Sequence, residues 1–175
     1  MPKQAMETKA AKKDRSKDRS SDTTPMTVNR NHCFGCGPDN RTGLHLHFER
    51  VSDEKSVECY FELTRSFEGP PGHVHGGIIA TILDETMGHV NWRKQVVALT
   101  RQMSIEYLRP VPLATKLHAV GWPVSEHGRK HQNAAEIRTL DGHVLARSEG
   151  LFIAIDPATM FDKHERKGVP LQKKS

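Results

Sequence analysis

Between residues 68 and 90 the sequence reads EGPPGHVHGGIIATILDETMGHV, a proline and glycine turn followed by a helical run holding two adjacent acids, Asp84 and Glu85. Ile79, Ile82, Leu83, Met87 and Val90 recur at intervals of three and four and mark the side of that helix that faces a core. The opposite stripe is Gly77, Thr81, Asp84, Gly88 and Asn91, nearly all small, so Asp84 stands in a lane with little bulk around it. Glu85 is turned about 100° away by the 3.6-residue period. A carboxylate in an open lane suits a general base or a nucleophile. Small residues on a helix also let a second helix come close, and acids on helices commonly face water.

The start of the helix offers a second group. No Ser, Thr, Asp or Asn stands between Val74 and Ile78, so the first-turn amides are expected to lack a side-chain cap. Free amides at the positive end of a helix dipole suit an oxyanion, and Gly76 and Gly77 would let a substrate carbonyl reach the backbone. The plainer alternative is that the glycines let the Pro70-Pro71-Gly72 turn pack tightly. Gly76 and Asp84 are eight residues apart on one helix, or about 12 Å along its axis. One carbonyl needs both its polarising donor and its base about 3 Å away. If the two act on one bond, a second copy must bring its Asp84 beside Gly76, as two antiparallel helices at a twofold axis would do.

Strands must hold this helix in place. LHLHFE (44–49) and SVECYFEL (56–63) alternate with period two, placing Leu44, Leu46, Phe48, Val57, Cys59, Phe61 and Leu63 on one face. Four further strand-like runs cover about 96–107, 115–124, 131–140 and 143–155, separated by RPVPL, EHG and LDG. Asp141-Gly142 is a hairpin signal. The expected architecture is α+β: an antiparallel sheet of about six strands, the last four as a meander, wrapped around one central helix.

Charge excludes some partners. The chain carries 26 Lys and Arg against 21 Asp and Glu, a net charge of +5, but the excess lies at its ends. Residues 1–28 hold seven basic and four acidic residues and 162–175 five and two, leaving 29–161 with 14 basic and 15 acidic, a net of −1. A body so balanced lacks the basic stripe of a nucleic-acid binder. The apolar-poor tail of residues 1–28 is expected to stay disordered, 29–161 to form one domain, and 162–175 a second basic tail. The sequence contains no apolar stretch of the roughly 20 residues that span a membrane. Three cysteines build no disulfide framework, which points to a reducing, cytoplasmic setting.

Two histidine and cysteine groupings resemble metal ligands. Cys33-x-x-Cys36, preceded by His32, is half of a zinc pattern or a redox pair, but no second Cys-x-x-Cys or spaced His pair completes it. His73-x-His75 lacks a third ligand, and His75 is expected to support the turn that aims the glycines. No metal is expected.

HGGIIATILDETMG, with FEGPPGHV upstream and ALTRQMSIEYLRPVPL downstream, resembles the hotdog-fold acyl-CoA thioesterases of the PaaI type, and CFGCGPDNRTGLHLHF is similar to the start of many bacterial members. The resemblance spans about residues 32–156. It implies a dimer with shared active sites, able to pair into tetramers, that hydrolyses acyl-CoA with no cofactor beyond the coenzyme A of its substrate. Asp84 would be general base or nucleophile, Gly76 would donate its amide to the thioester carbonyl, and Thr100 would position the water or the acid. Some relatives carry Asn six residues before the His, where this chain has Gly69, which leaves water placement and the choice between general-base and anhydride routes open.

Around that core, His75 and Gly77 are expected to touch substrate, and Arg109, Arg129 and Lys130, at strand ends and turns, to meet the phosphates of coenzyme A. Two rivals share the fold: a protein that binds acyl-CoA without cleaving it, and a dehydratase or hydratase pairing His75 with Glu85. Binding alone gives no reason to bury Asp84, and Glu85 lies on the wrong side of the helix for the second.

Overall fold

In the computed structural model, which describes residues 31–51 and 56–160, the period-two runs form one antiparallel sheet against an 18-residue helix. The elements in chain order are β1 (Glu49–Arg50), β2 (Val57–Phe61), α1 (Gly76–Arg93), β3 (Ala98–Tyr107), β4 (Leu117–His127), β5 (Lys130–Thr139) and β6 (Val144–Ala154). The six strands lie in the order β1-β2-β4-β5-β6-β3. The expected tails, 1–28 and 162–175, lie outside the described residues apart from this body.

Two expectations are corrected. Leu44–Phe48 is not a strand, and β1 is only two residues long. The N–H groups of Leu44 and Leu46 donate instead to the carbonyls of Phe34 (2.8 Å) and Gly35 (2.9 Å), and His45 turns the chain out of the extended region at φ 52°. The alternation still sorts the side chains: Leu46 is buried and Leu44 and Phe48 pack on the core. The last four strands are also not a simple meander. β4, β5 and β6 are neighbours in turn, but β3 crosses to the outer edge and pairs with β6. Between β3 and β4 the chain carries Pro110 and Pro112, which have no N–H to extend a ladder. Val111 between them is buried, and its carbonyl accepts from the Val74 N–H at 2.8 Å, so the connection runs past the start of α1.

The helix sits close to the sheet because the sheet is lined with small residues where it passes. Ile82, Leu83, Met87 and Val90 are wholly buried, facing Ala119, Ala135 and Ala146 in a core that Leu117, Ile137 and Phe152 complete. A methyl group at Gly121 would lie 2.9 Å from Thr86 Cγ2, and one at Gly150 3.0 Å from the Met87 Cε. The β5–β6 turn follows the Asp141-Gly142 signal: Gly142 takes φ 93°, and the Thr139 N–H donates to the His143 carbonyl at 3.0 Å. Among the described residues no helix is long and apolar enough to cross a membrane.

Asn91 departs from its expected place in the small lane. It follows Met87 by four residues, only about 40° off the buried face, and at 1% exposure it is inside. Asn133 of β5 donates to its Oδ1 and to the Met87 carbonyl, both at 3.0 Å, and fastens the end of α1 to the sheet. Gly77, Thr81, Asp84 and Gly88 remain as the open lane.

Candidate active site

The chain enters α1 through a turn that its residues dictate. Pro71 and Gly72 occupy the corners, with Gly72 at φ 77° and the His73 N–H donating to the Pro70 carbonyl at 2.9 Å. The Glu68 carboxylate accepts from the Gly72 N–H at 2.8 Å and from Arg65 at 3.0 Å. Both bonds hold its pKa below the ordinary carboxylate value.

The helix is capped after all. His75 is its N-cap, and the His75 Nδ1 accepts from the Gly77 N–H at 3.0 Å. An imidazole can serve in place of a hydroxyl or carboxylate because its unprotonated nitrogen is an acceptor. The expectation that both glycine amides are free is therefore corrected: Gly77 is engaged. No group among the described residues accepts from the Gly76 N–H, which stays directed out of the first turn. Tyr107, at the end of β3, donates its hydroxyl to the Gly76 carbonyl at 3.2 Å, a contact sequence reasoning missed. Gly69 now has a physical reason, since a methyl group there would lie 2.8 Å from the His75 Cα and no side chain fits.

Asp84 is half-buried one face over from the core, and the Thr100 hydroxyl on β3 donates to its Oδ1 at 2.7 Å. Burial raises the Asp84 pKa above the ordinary value, the Thr100 hydrogen bond pulls it down, and the neighbouring Glu85 charge pushes it up. The sequence spacing of 16 between Asp84 and Thr100 is bridged because β3 returns along the helix. Asp84 and Gly76 do lie on one continuous helix, so in a single chain they are about 12 Å apart.

Glu85 points elsewhere, to the Cys33–Cys36 turn, where the Cys33 thiol donates to its Oε1 at 3.1 Å. With His75 capping the helix and Glu85 held at that turn, the two do not form an acid and base pair. Cys33, Cys36 and Glu85 are the group of described residues with the spacing of metal ligands.

The cations divide between the two ends of the sheet. Arg129 donates to the Ala154 carbonyl at 2.9 Å, and Lys130 stands beside Ile153 and Leu99 across three adjacent strands, at the end where Thr100 holds Asp84. Arg109 donates to the Val144 carbonyl at 3.0 Å at the opposite end, past Tyr107 and Gly76. Thr100 and Tyr107 are about 23 Å apart along β3 at strand rise, so one chain does not gather the three cations.

The model of the thioesterase superfamily matches residues 71–146. The chain is 34% identical over 105 residues to the acyl-coenzyme A thioesterase THEM4 of Rattus norvegicus, covering 59% of this chain and 45% of that protein. It spans about half the length of the curated relatives it matches. Among solved structures it is similar to a thioesterase superfamily protein at 41% identity and a TM-score of 0.66, covering 70% of this chain and 60% of that one. A Bacillus halodurans protein crystallised with CoA aligns at 26% identity and a TM-score of 0.58, over 65% of this chain and 76% of that one. The matched residues carry the turn, the capped helix and the Asp84–Thr100 contact, and the chain has the hotdog fold of the thioesterase-superfamily and PaaI structures it resembles.

Proposed function

We propose that the protein hydrolyses acyl-CoA thioesters at a site shared between two copies of the chain. The observation that carries this reading is the half-buried Asp84 on α1 held by the Thr100 hydroxyl at 2.7 Å. That bond occupies Oδ1 and leaves Oδ2 to take a proton from water. The water oxygen attacks the thioester carbon, the carbonyl oxygen gains charge, and the carbon–sulfur bond breaks to release the coenzyme A thiolate, which takes up the proton. The free Gly76 N–H and the positive end of α1 stabilise the oxyanion. A thioester is already activated, so one carboxylate and one donor are enough.

The spacing along α1 requires the Asp84 and the Gly76 of one site to come from different protomers. The open lane of Gly77, Thr81, Asp84 and Gly88 lets two such helices approach antiparallel, and β3 supplies a free sheet edge on which Leu99 and Tyr107 are exposed, with exposed Leu108 just past its end. An antiparallel pairing also brings Arg129 and Lys130 of one protomer to the end where its partner carries Arg109, a charge set suited to coenzyme A phosphates. Such dimers can pair further into tetramers. The crystal structure of the Bacillus halodurans relative with CoA supports the substrate class, and thiols left free at Cys33, Cys36 and Cys59 suit a reducing cytoplasm.

Thiol release from short, medium, long and aromatic acyl-CoAs, measured on the protein beside Asp84→Asn, tests the reading. Turnover that the substitution lowers by about 10² to 10⁴ supports it. Acyl-CoA bound without any thiol release by the unaltered protein would move it to the non-catalytic binding class.

A further inference from the structure

The Cys33-Phe34-Gly35-Cys36-Gly37 turn is built before its thiols are considered. The Gly37 N–H donates to the Cys33 carbonyl at 3.0 Å, the Cys33 N–H to Asn31 Oδ1 at 3.0 Å, and the Phe34 and Gly35 carbonyls are held by Leu44 and Leu46. Its two glycines are demanded by close approach. A methyl group at Gly37 would lie 2.4 Å from the Cys33 nitrogen, and one at Gly35 would lie 2.2 Å from the Glu85 Cγ. The turn is therefore seated on the Glu85 side chain, and both thiols arrive beside one carboxylate of α1.

We propose that Cys33, Cys36 and Glu85 bind one zinc ion that ties the N-terminal turn to the central helix. One ligand atom from each lies within 4.8 Å of the other two, and all three residues are half-buried. Tetrahedral zinc, with sulfur at about 2.3 Å and carboxylate oxygen at about 2.1 Å, sets its ligand atoms about 3.5 to 3.8 Å apart, so small side-chain rotations close the set. Two thiolates select zinc over the hard cations magnesium and calcium. The sequence alone left the Cys-x-x-Cys pair without a third ligand because that ligand stands 52 residues from Cys33.

Water completes the tetrahedron. His89, one turn after Glu85, places its Nε2 3.8 Å from Glu85 Oε2, beside the ligand set and outside it. Its ring is fixed by stacking on Phe48 at a centroid distance of 4.0 Å. Binding converts two thiols to thiolates: both S–H bonds break, two Zn–S bonds and one Zn–O bond to Glu85 replace all but one of the waters on the hydrated ion, and two protons leave to solvent. No oxidant or reductant takes part.

The test uses the full chain, reduced and washed with chelator, titrated with Co²⁺ and Zn²⁺. Co²⁺ is expected to bind at one equivalent per chain with a thiolate-to-cobalt charge-transfer band in the near ultraviolet. Zn²⁺ is expected to displace it, raise the thermal midpoint, and shield Cys33 and Cys36 from alkylation as mapped by mass spectrometry. Glu85→Gln is expected to weaken binding at least tenfold, and Cys36→Ser to abolish the band. Alkylation mapping needs no variant, so it decides even if a substitution unfolds the protein. A missing band with Cys33 and Cys36 still alkylated in Zn²⁺ would overturn the proposal, as would a Cys33–Cys36 disulfide in place of metal.

Discussion

Thr100 on β3 donates its hydroxyl proton to Asp84 on α1 at 2.7 Å, within one chain and across the open edge of the sheet. The bond fixes the carboxylate plane and decides which oxygen remains for water. Thr100→Val keeps the shape and removes the donor. A hydrogen bond to a charged group contributes about 1.5 to 3 kcal/mol, so thioester turnover should fall about 10- to 100-fold with the fold intact. Thr100→Ser should restore most of it. Steady-state kinetics on the three proteins check this, and equal rates would remove Thr100 from the site.

The Gly76 N–H can be deleted without disturbing the helix. Gly76 is the first residue of α1, where proline is tolerated because its missing N–H has no intrahelical partner. His75 before it has φ −61° and ψ 137°, the extended conformation that a residue preceding proline prefers. A Cβ at position 76 would meet the Tyr107 ring at 3.8 Å, an ordinary contact. Gly76→Pro should therefore unfold within about 1 kcal/mol of the unaltered protein while losing about 10² to 10³ in turnover, the usual effect of removing an oxyanion donor. Denaturant unfolding and kinetics on the same preparation separate the two effects.

The turn that launches α1 should weaken in acid. The folded-state pKa of Glu68 is lowered, chiefly by the Gly72 N–H and then by Arg65. A group of this kind contributes stability that is fully present above its unfolded pKa and lost as pH falls through its folded value. Thermal midpoints of the unaltered protein and Glu68→Gln should differ near neutral pH and converge on acidification below the usual carboxylate range. A difference that stays constant through that range would remove Glu68 from the turn.

Much of this was legible in the sequence, and the failures have physical causes. The spacing of Ile79, Ile82, Leu83, Met87 and Val90 marks the buried face because helix period alone decides it, and the structure buries all five. The sheet and its last hairpin followed from alternation and Asp141-Gly142. The cap was misread because His75 is not among the usual capping residues, although its ring nitrogen accepts as they do. The crossover of β3, the Tyr107 contact with Gly76 and the partnership of Glu85 with Cys33 join residues 31 or more positions apart. No local pattern encodes such pairings. Thr100 stood out only through the family resemblance, since a threonine in an exposed strand carries no signal of its own.

The most direct test of the central claim, that Asp84 of one protomer and Gly76 of the other act on one thioester, mixes two inactive proteins. Gly76→Pro and Asp84→Asn chains are unfolded together, refolded and assayed for thiol release. In a twofold dimer half of the molecules are mixed, and each mixed dimer keeps one site with both groups intact. The mixture should regain about a quarter of the unaltered activity, while each variant refolded alone stays inactive. A mixture as inactive as its components, with mixed dimers verified by mass, would contradict the shared site.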